Sequence, residues 1–229
     1  MLKADLHLHT NQSKYDRKKI PYSPKQLIDF MSKNSFDVIS ITDHDVFTYS
    51  EQLRKYAESK GIILLSGMEK TIEGKHILLI NFTGKELNKL RKLDDLKPLR
   101  NGLIIAPHPF FPKVRGLENK TLKYMHLFDA LEYSYFYTGL INFNKKAIRI
   151  ARQHKKPLIG CSDAHRLWQV GTTYSLIDSK KEKKGIISAI KSGKIIIKTK
   201  PLPFWTFVFI SLYVLMRKPL IKLRIMQEE

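Results

Sequence analysis

The sequence predicts an α/β protein whose mostly parallel sheet closes into a barrel, with polar side chains gathered at one end. Short apolar segments typical of buried strands alternate with amphipathic segments typical of helices. Strands that alternate with helices imply parallel pairing, and right-handed crossovers can close such a sheet. Four short motifs rich in histidine and aspartate accompany the strand-like segments: D-L-H-L-H-T at 5–10, T-D-H-D at 42–45, A-P-H-P at 106–109 and C-S-D-A-H at 161–165.

Each of five predicted strands leads to histidine, aspartate or glutamate side chains, which can bind metals or transfer protons. The first alternates from Leu2 and closes on His7 and His9. The others are 36–41, before Asp43, His44 and Asp45; 62–65, before Glu69; 103–105, before His108; and 157–159, before Asp163 and His165. Polar groups at the carboxyl ends of successive barrel strands are typical of an active site.

The segments between the strands carry helix signals. Ser23 is a typical N-cap and Pro24 suits the first helical position. Leu27, Ile28 and Met31 then share one apolar face. Further helices are predicted at 48–60, 142–154 and 181–192.

The polar residues have the types expected of metal ligands. Imidazole nitrogen and carboxylate oxygen suit Zn, Mn and Fe(II). His7 and His9 are two residues apart on a strand, so their side chains share a face and can hold one ion. A carboxylate such as Glu69 can bridge two ions, and paired ions clamp the attacking and leaving oxygens of a phosphoryl displacement while generating hydroxide. Six of the eight histidines lie beside strand-like segments, which predicts a multinuclear metal hydrolase.

These motifs resemble those of the PHP (polymerase and histidinol phosphatase) family of metal-dependent phosphoesterases. The resemblance covers residues 3–178 and includes the family's four motifs in order. It implies a distorted seven-stranded, TIM-like β/α barrel with a trinuclear metal site at its carboxyl-end face. It also implies three ligand sets: His7, His9, Glu69 and Asp163 for the first metal; Asp16, His44 and His165 for the second; His76 and His108, with Glu69 bridging, for the third.

Other polar residues near the motifs have more than one interpretation. Asp43 is expected to orient a ligand by accepting a hydrogen bond rather than to bind metal. Asp45 is either a loop cap or a similar supporting group. Arg166 either meets a substrate phosphate with its planar fork or is simply solvated. His126 and His154 match no motif and are expected to be structural.

Length and composition suit a single catalytic domain, predicted at 1–200. The chain has 229 residues, of which 43% are hydrophobic, enough to build a core. Cys161 is the only cysteine, which excludes an internal disulfide. Asp5 and His7 interrupt any apolar leader, so we expect no signal peptide and a reducing, cytoplasmic location.

The net charge of +20 indicates a preference for anionic partners. Such a field would concentrate a phosphorylated small molecule or nucleotide, nucleic acid or anionic lipid. The sequence has no basic motif interleaved with aromatic residues that would indicate single-strand binding. A solvated, lysine-rich surface without a partner is the alternative.

The segment 201–229 differs from the rest and is predicted to form a hydrophobic, basic helical tail. Residues 201–216 are uncharged and aromatic-rich, and basic residues flank them on both sides. A membrane-spanning helix needs about 20 apolar residues, so this one is short for a full crossing. Trp205 and Tyr213 would suit the headgroup boundary. Association with the cytoplasmic face of a membrane and packing on the barrel or on a second subunit both remain open.

The sequence therefore predicts a metal-dependent phosphoric ester hydrolase that uses two or three divalent ions, Zn, Mn or Fe. Two alternatives remain. An amidohydrolase-type enzyme shares the H-x-H motif on its first strand and an aspartate on a late strand. A non-catalytic, metal-stabilised module that recruits a partner would need no turnover.

Overall fold

A computed structural model of the chain describes residues 1–112 and 115–212. The strands are β1 (Leu2–Leu8), β2 (Val38–Ile41), β3 (Ile63–Leu65), β4 (Gly67–Ile72), β5 (Lys75–Ile80), β6 (Leu103–Ala106), β7 (Ala130–Ser134), β8 (Leu158–Cys161), β9 (Thr173–Ile177) and β10 (Ile195–Thr199). The helices between them are α1 (Pro24–Lys33), α2 (Glu51–Ser59), α3 (Gly84–Leu87), α4 (Asn119–Lys123), α5 (Asn144–Gln153) and α6 (Lys183–Lys191). Short 3-10 turns lie at Leu93–Leu96, Met125–Leu127 and Leu167–Gln169.

The described strands form two mixed five-stranded sheets, which confirms the predicted α/β class. The first sheet has the order β10-β9-β1-β2-β3, and the second runs from β4 to β8 in chain order. The predicted closed, seven-stranded barrel is not found among these strands. Isolated bridges join the two sheets, between Leu8 and Ala164 and between His44 and Glu69. The chain leaves β3 at Ser66 and enters an antiparallel hairpin, and this interrupts the parallel series.

That hairpin explains where two of the predicted ligands lie. The sequence predicted Glu69 in a connection directly after the strand at 62–65. In the structure Glu69 lies inside β4, which pairs with β5 in antiparallel fashion. Because β5 is also antiparallel to β6, with Leu78 opposite Ile105, β5 begins at the edge where β6 ends. His76, near the start of β5, therefore reaches the same edge as His108 after β6.

The predicted helices are present within a few residues. The Ser23 hydroxyl accepts from the Gln26 amide, and the Gln26 side chain accepts from the Ser23 amide, which together make a capping box at the start of α1. The buried residues of α1 are the predicted Leu27, Ile28 and Met31. The helices α2, α5 and α6 lie within the predicted segments 48–60, 142–154 and 181–192.

Both sheets contribute to one core beneath the polar edge. Leu6 and Val38 of the first sheet belong to the same buried cluster as Leu78 and Ile105 of the second. Helix α6 adds Ile186 and its neighbours to this cluster. Close packing of this kind fixes the positions of the strand ends, and with them the side chains of the site.

The predicted tail is helical over residues 204–212, and residues 213–229 lie outside the described residues. No helix in the described part of the chain has the length and apolar character needed to cross a bilayer.

Candidate metal centre

The structure brings all nine predicted ligands to the polar edge of the two sheets. His7 and His9 come from the end of β1, Glu69 from β4 and His76 from β5. The others come from the connections after the strands: Asp16, His44, His108, Asp163 and His165. His7, His9 and Glu69 are fully buried. Their role as ligands stays a prediction, and their convergence is an observation.

The deepest set consists of His7, His9, Glu69 and Asp163. The Nε2 atoms of His7 and His9 each lie 3.3 Å from Oε2 of Glu69. The same two nitrogens lie 3.3 and 3.2 Å from Oδ1 of Asp163. All four ligand atoms lie within 4.8 Å of one another, which matches the first predicted set.

A second set lies nearer the surface. Oδ2 of Asp16 is 3.5 Å from Nε2 of His44 and 3.7 Å from Nε2 of His165. His9, His44 and His165 also offer nitrogens within 4.8 Å of one another. His9 therefore lies between the two sets.

The two oxygens of Glu69 face different imidazoles. Oε1 lies 2.8 Å from Nδ1 of His76 and 3.2 Å from Nε2 of His108. Oε2 faces His7 and His9 and lies 2.8 Å from Nδ1 of His44. A carboxylate with a separate set of neighbours at each oxygen has the arrangement expected of a bridging ligand.

The unsatisfied atoms of the cluster fit divalent metal ions. Among the described residues, several buried atoms of the site make no hydrogen bond: Nε2 of His7, both ring nitrogens of His9 and His76, Nδ1 of His44 and of His108, and Oε2 of Glu69. Buried polar atoms normally have partners, and a bound cation would supply the partner that these atoms lack. Two ligands at about 2.0 Å from one tetrahedral zinc lie about 3.3 Å apart, which is close to the separations within the deepest set.

Burial and mutual attraction set the protonation of the cluster. Burial lowers the pKa of His44 to about 4. Burial also opposes protonation of His9, but the neighbouring carboxylates of Asp163 and Glu69 raise its pKa to about 9. Burial alone would raise the pKa of Glu69, but attraction to the surrounding imidazoles holds this pKa well below the usual range. Bound metals would compete with these protons, since histidine ligands bind in their neutral form.

Two curated archaeal proteins are similar to this chain in sequence. The uncharacterized protein MJ1587 of Methanocaldococcus jannaschii is 30% identical over 154 residues, which are 62% of this chain and 87% of that protein. The uncharacterized protein MJ0417 of the same organism is 28% identical over 181 residues, 76% of this chain and 69% of that protein. The profile of the PHP-associated family, PHP_C, matches residues 142–195. The chain belongs to the PHP family.

Solved structures share the fold of this PHP protein at low sequence identity. PsfC from Pseudomonas syringae is 15% identical with a TM-score of 0.62, covering 96% of this chain and 98% of that one. A Bifidobacterium adolescentis protein, assigned provisionally as a metal-dependent phosphoesterase, is 16% identical with a TM-score of 0.52. An amidohydrolase from Chromobacterium violaceum, with bound sulfate and no metal, is 16% identical with a TM-score of 0.57. The last two alignments each cover 71% of this chain and 87% of the other.

Glu132 is a functional candidate that the sequence analysis missed. It lies fully buried on β7, and its Oε1 is 2.8 Å from Nδ1 of His7. Its Oε2 accepts a hydrogen bond from the backbone N–H of His108 at 2.6 Å. A carboxylate behind a ligand histidine orients the ring and raises its basicity. The available signal was a single acid in the otherwise uncharged strand A-L-E-Y-S, which matches none of the four PHP motifs.

Asp5 provides a second support behind the PHP site. Its Oδ1 accepts from the backbone N–H groups of His7 and Ser162, so it joins the end of β1 to the end of β8. Burial raises the pKa of Asp5 to about 7, against the opposing effect of the hydrogen bonds from Ser162. His108 and Asp163 have positive φ angles of 28° and 46°. Such conformations cost energy in non-glycine residues and are common where a site constrains the backbone.

The other predicted candidates have distinct positions. Asp43 accepts from the backbone and hydroxyl of Thr10 at 2.6 and 2.7 Å, so it fixes the residue after His9. Asp45 accepts from the backbone N–H of Thr71 at 2.8 Å, and this hydrogen bond joins the connection after β2 to β4. Arg166 is exposed beside the site. The histidines outside the motifs, His126 and His154, are both exposed and lie outside these ligand sets.

Proposed function

We propose that this PHP protein hydrolyses a phosphate ester with two or three divalent metal ions, Zn, Mn or Fe(II). The observation that carries the proposal is Glu69, a buried carboxylate whose two oxygens face separate groups of imidazoles. Asp163 adds a carboxylate beside His9, and Asp16 adds one beside His44. Divalent ions held there would supply hydroxide near neutral pH and positive charge beside the phosphoryl oxygens.

Other side chains of the site hold the ligands in position. Glu132 holds the ring of His7 and the backbone of His108, so two ligands are oriented before substrate binds. Asp5 and Asp43 hold the backbone around His7 and His9. Preorganised ligands need no rearrangement during the reaction, which is the usual source of electrostatic catalysis.

The open side of the site favours an anionic substrate. The side chains of Asp163 and His165 are 21% and 32% exposed, so substrate would approach there. Cations lie around this opening. Lys19 is 3.5 Å from Asp16, and the guanidinium of Arg115 stacks on Tyr15 with 5.2 Å to the ring centre. A phosphorylated small molecule or nucleotide would match this charge.

The relatives support this class of reaction without defining the substrate. One structural neighbour is provisionally a metal-dependent phosphoesterase. Another is an amidohydrolase that holds sulfate, a tetrahedral oxyanion like phosphate. The amidohydrolase name is the reason to keep amide hydrolysis as the second candidate function.

The test combines metal analysis with turnover. The purified protein is analysed for bound elements and assayed with a phosphomonoester, a phosphodiester and an amide, each with Mn, Zn and Fe(II). We expect about two to three metals per chain and metal-dependent cleavage of a phosphate ester. His154→Ala, which changes an exposed histidine outside the site, is the matched control. Bound metal with amide cleavage only would replace the proposal by the second candidate, and absence of bound metal would overturn both.

We further propose residues 1–200 as the catalytic unit and a cytoplasmic location for it. The single cysteine, Cys161, is buried and free. A truncation at residue 200 that keeps metal content and turnover would support this division.

A further inference from the structure

Exposed apolar side chains of this protein are concentrated at one place. Among the described residues, twelve large hydrophobic side chains are exposed, and six of them belong to two short segments. Those six are Leu140, Ile141, Phe204, Trp205, Phe209 and Leu212, which we call the aromatic patch. Single exposed hydrophobic residues are ordinary on protein surfaces, but a concentration of them indicates an interaction surface.

The helix at 204–212 has two faces of different environment. Phe207 and Leu202 are buried, and Phe207 stacks on Phe136 with ring centres 4.5 Å apart. On the other face, Trp205 and Phe209 are 78% and 71% exposed. These two residues are four apart, so they lie one above the other on the helix. One face therefore anchors the helix to the domain and the other is left to a partner.

The anchoring places the patch at the edge of the fold that carries the metal centre. Leu202 donates its N–H to the carbonyl of Tyr137, in the connection after β7. The connections after β6 and β8, which adjoin β7 in the sheet, carry His108, Asp163 and His165. Leu202 also packs against Tyr135, whose hydroxyl bonds to Gln169, and Gln169 accepts from the backbone of His165. The patch and the metal centre thus share supporting residues.

The charge around the patch favours an anionic partner. No aspartate or glutamate occurs between 133 and 162 or between 183 and 227. Exposed lysines lie close in sequence to both segments of the patch, including Lys145 after Ile141 and Lys200 before Phe204. An apolar, tryptophan-bearing face with cations at its borders is the arrangement of a helix that lies in the headgroup region of an anionic bilayer.

We propose that this protein docks on an anionic membrane surface through the aromatic patch, with the helix at 204–212 lying in the plane of the bilayer. This docking is independent of the reaction at the metal centre, and its test requires no substrate. It places the metal centre beside the lipid headgroups.

The test is sedimentation of the full chain with vesicles of phosphatidylcholine, with and without phosphatidylglycerol. We expect binding about tenfold stronger or more on the anionic vesicles, weakened by salt. Trp205→Ser with Phe209→Ser should lower binding by about tenfold or more, because two large apolar side chains no longer enter the interface. Leu122→Ser, an exposed leucine outside the patch, is the matched control.

A charge reversal tests the same surface without changing an apolar residue. Lys145→Glu with Lys200→Glu should weaken binding to anionic vesicles by about tenfold. Lys55→Glu with Lys89→Glu, two exposed lysines elsewhere, applies the same change in net charge and should have a smaller effect. Equal losses in both pairs would overturn the proposal, because binding would then follow net charge alone.

Fluorescence gives an independent measure of insertion. The chain has two tryptophans, and in a Trp168→Phe background Trp205 is the only reporter. We expect a blue shift on anionic vesicles and quenching by lipids brominated near the headgroup. Failure to bind anionic vesicles would overturn the proposal. So would a dimer that Trp205→Ser with Phe209→Ser converts to a monomer while vesicle binding is absent, which would make the patch a self-interface.

Discussion

The deep half and the outer half of the metal centre are built in different ways. The deep half takes His7 and Glu69 from strands, with no exposed surface, and Glu132 supports it from behind. The outer half takes Asp16 and His165 from connections, and the side chain of His165 is 32% exposed. Strands within a packed core hold side chains more closely than surface connections do. The deep half should therefore determine whether metal binds, and the outer half should determine how well substrate and metal are positioned.

The largest effect is expected at the residue that both halves share. Glu69→Gln removes the charge that faces five imidazoles, so bound metal and turnover should fall by more than the roughly 100-fold seen for supporting residues of metal sites. Elemental analysis and phosphoesterase assays measure both losses. Wild-type metal content in this variant would show that Glu69 is not a bridging ligand.

Two ligands outside the strands should affect activity more than folding. His108→Ala and Asp163→Ala are expected to remove most turnover while leaving the fold largely intact, because both follow the strand ends rather than fill the core. Circular dichroism and thermal melts test the fold, and turnover tests the site. Wild-type-like turnover in both variants would contradict the assigned centre.

A smaller loss is expected from the support behind the deep half. Glu132→Gln keeps an acceptor for His7 but removes the charge, which should lower metal affinity or activity by about 10- to 100-fold. Excess metal should restore much of the turnover, since the ligands themselves are intact. Glu58→Gln, an exposed glutamate on α2, is the control. A loss that metal does not restore in a folded variant would point to a role beyond orientation of His7.

The smallest effect is expected at the outer half. Asp16→Asn keeps the shape of the side chain, and we expect about a tenfold loss, at the lower end of the range for altered metal surroundings. Titration with Mn should show a single weakened site while the others keep their affinity. Loss of all bound metal would show that the outer half is needed for assembly, and the distinction between the halves would then be wrong.

The sequence predicted the structure best where the functional residues and the periodic pattern of a strand or helix lie in the same segment. Alternation in β1 put His7 and His9 on one face, and the structure shows them together. The N-cap at Ser23 and the apolar face of α1 follow from local rules and are both present. The sequence placed Glu69 after a strand, whereas it lies inside β4, which forms a hairpin with β5. The residues of a short apolar strand do not show in which direction it pairs.

The residue types by themselves predicted a metal-binding type of site, because histidines and carboxylates at the ends of several strands are the donor set that divalent metals require. Family resemblance added Asp16 and His76, which local pattern alone did not select. The tertiary structure decided the division into two sheets, the opposite surroundings of the two Glu69 oxygens and the position of Glu132 behind His7. The contact between His7 and Glu132 joins residues 125 positions apart, and such contacts depend on how the whole chain packs rather than on any local pattern.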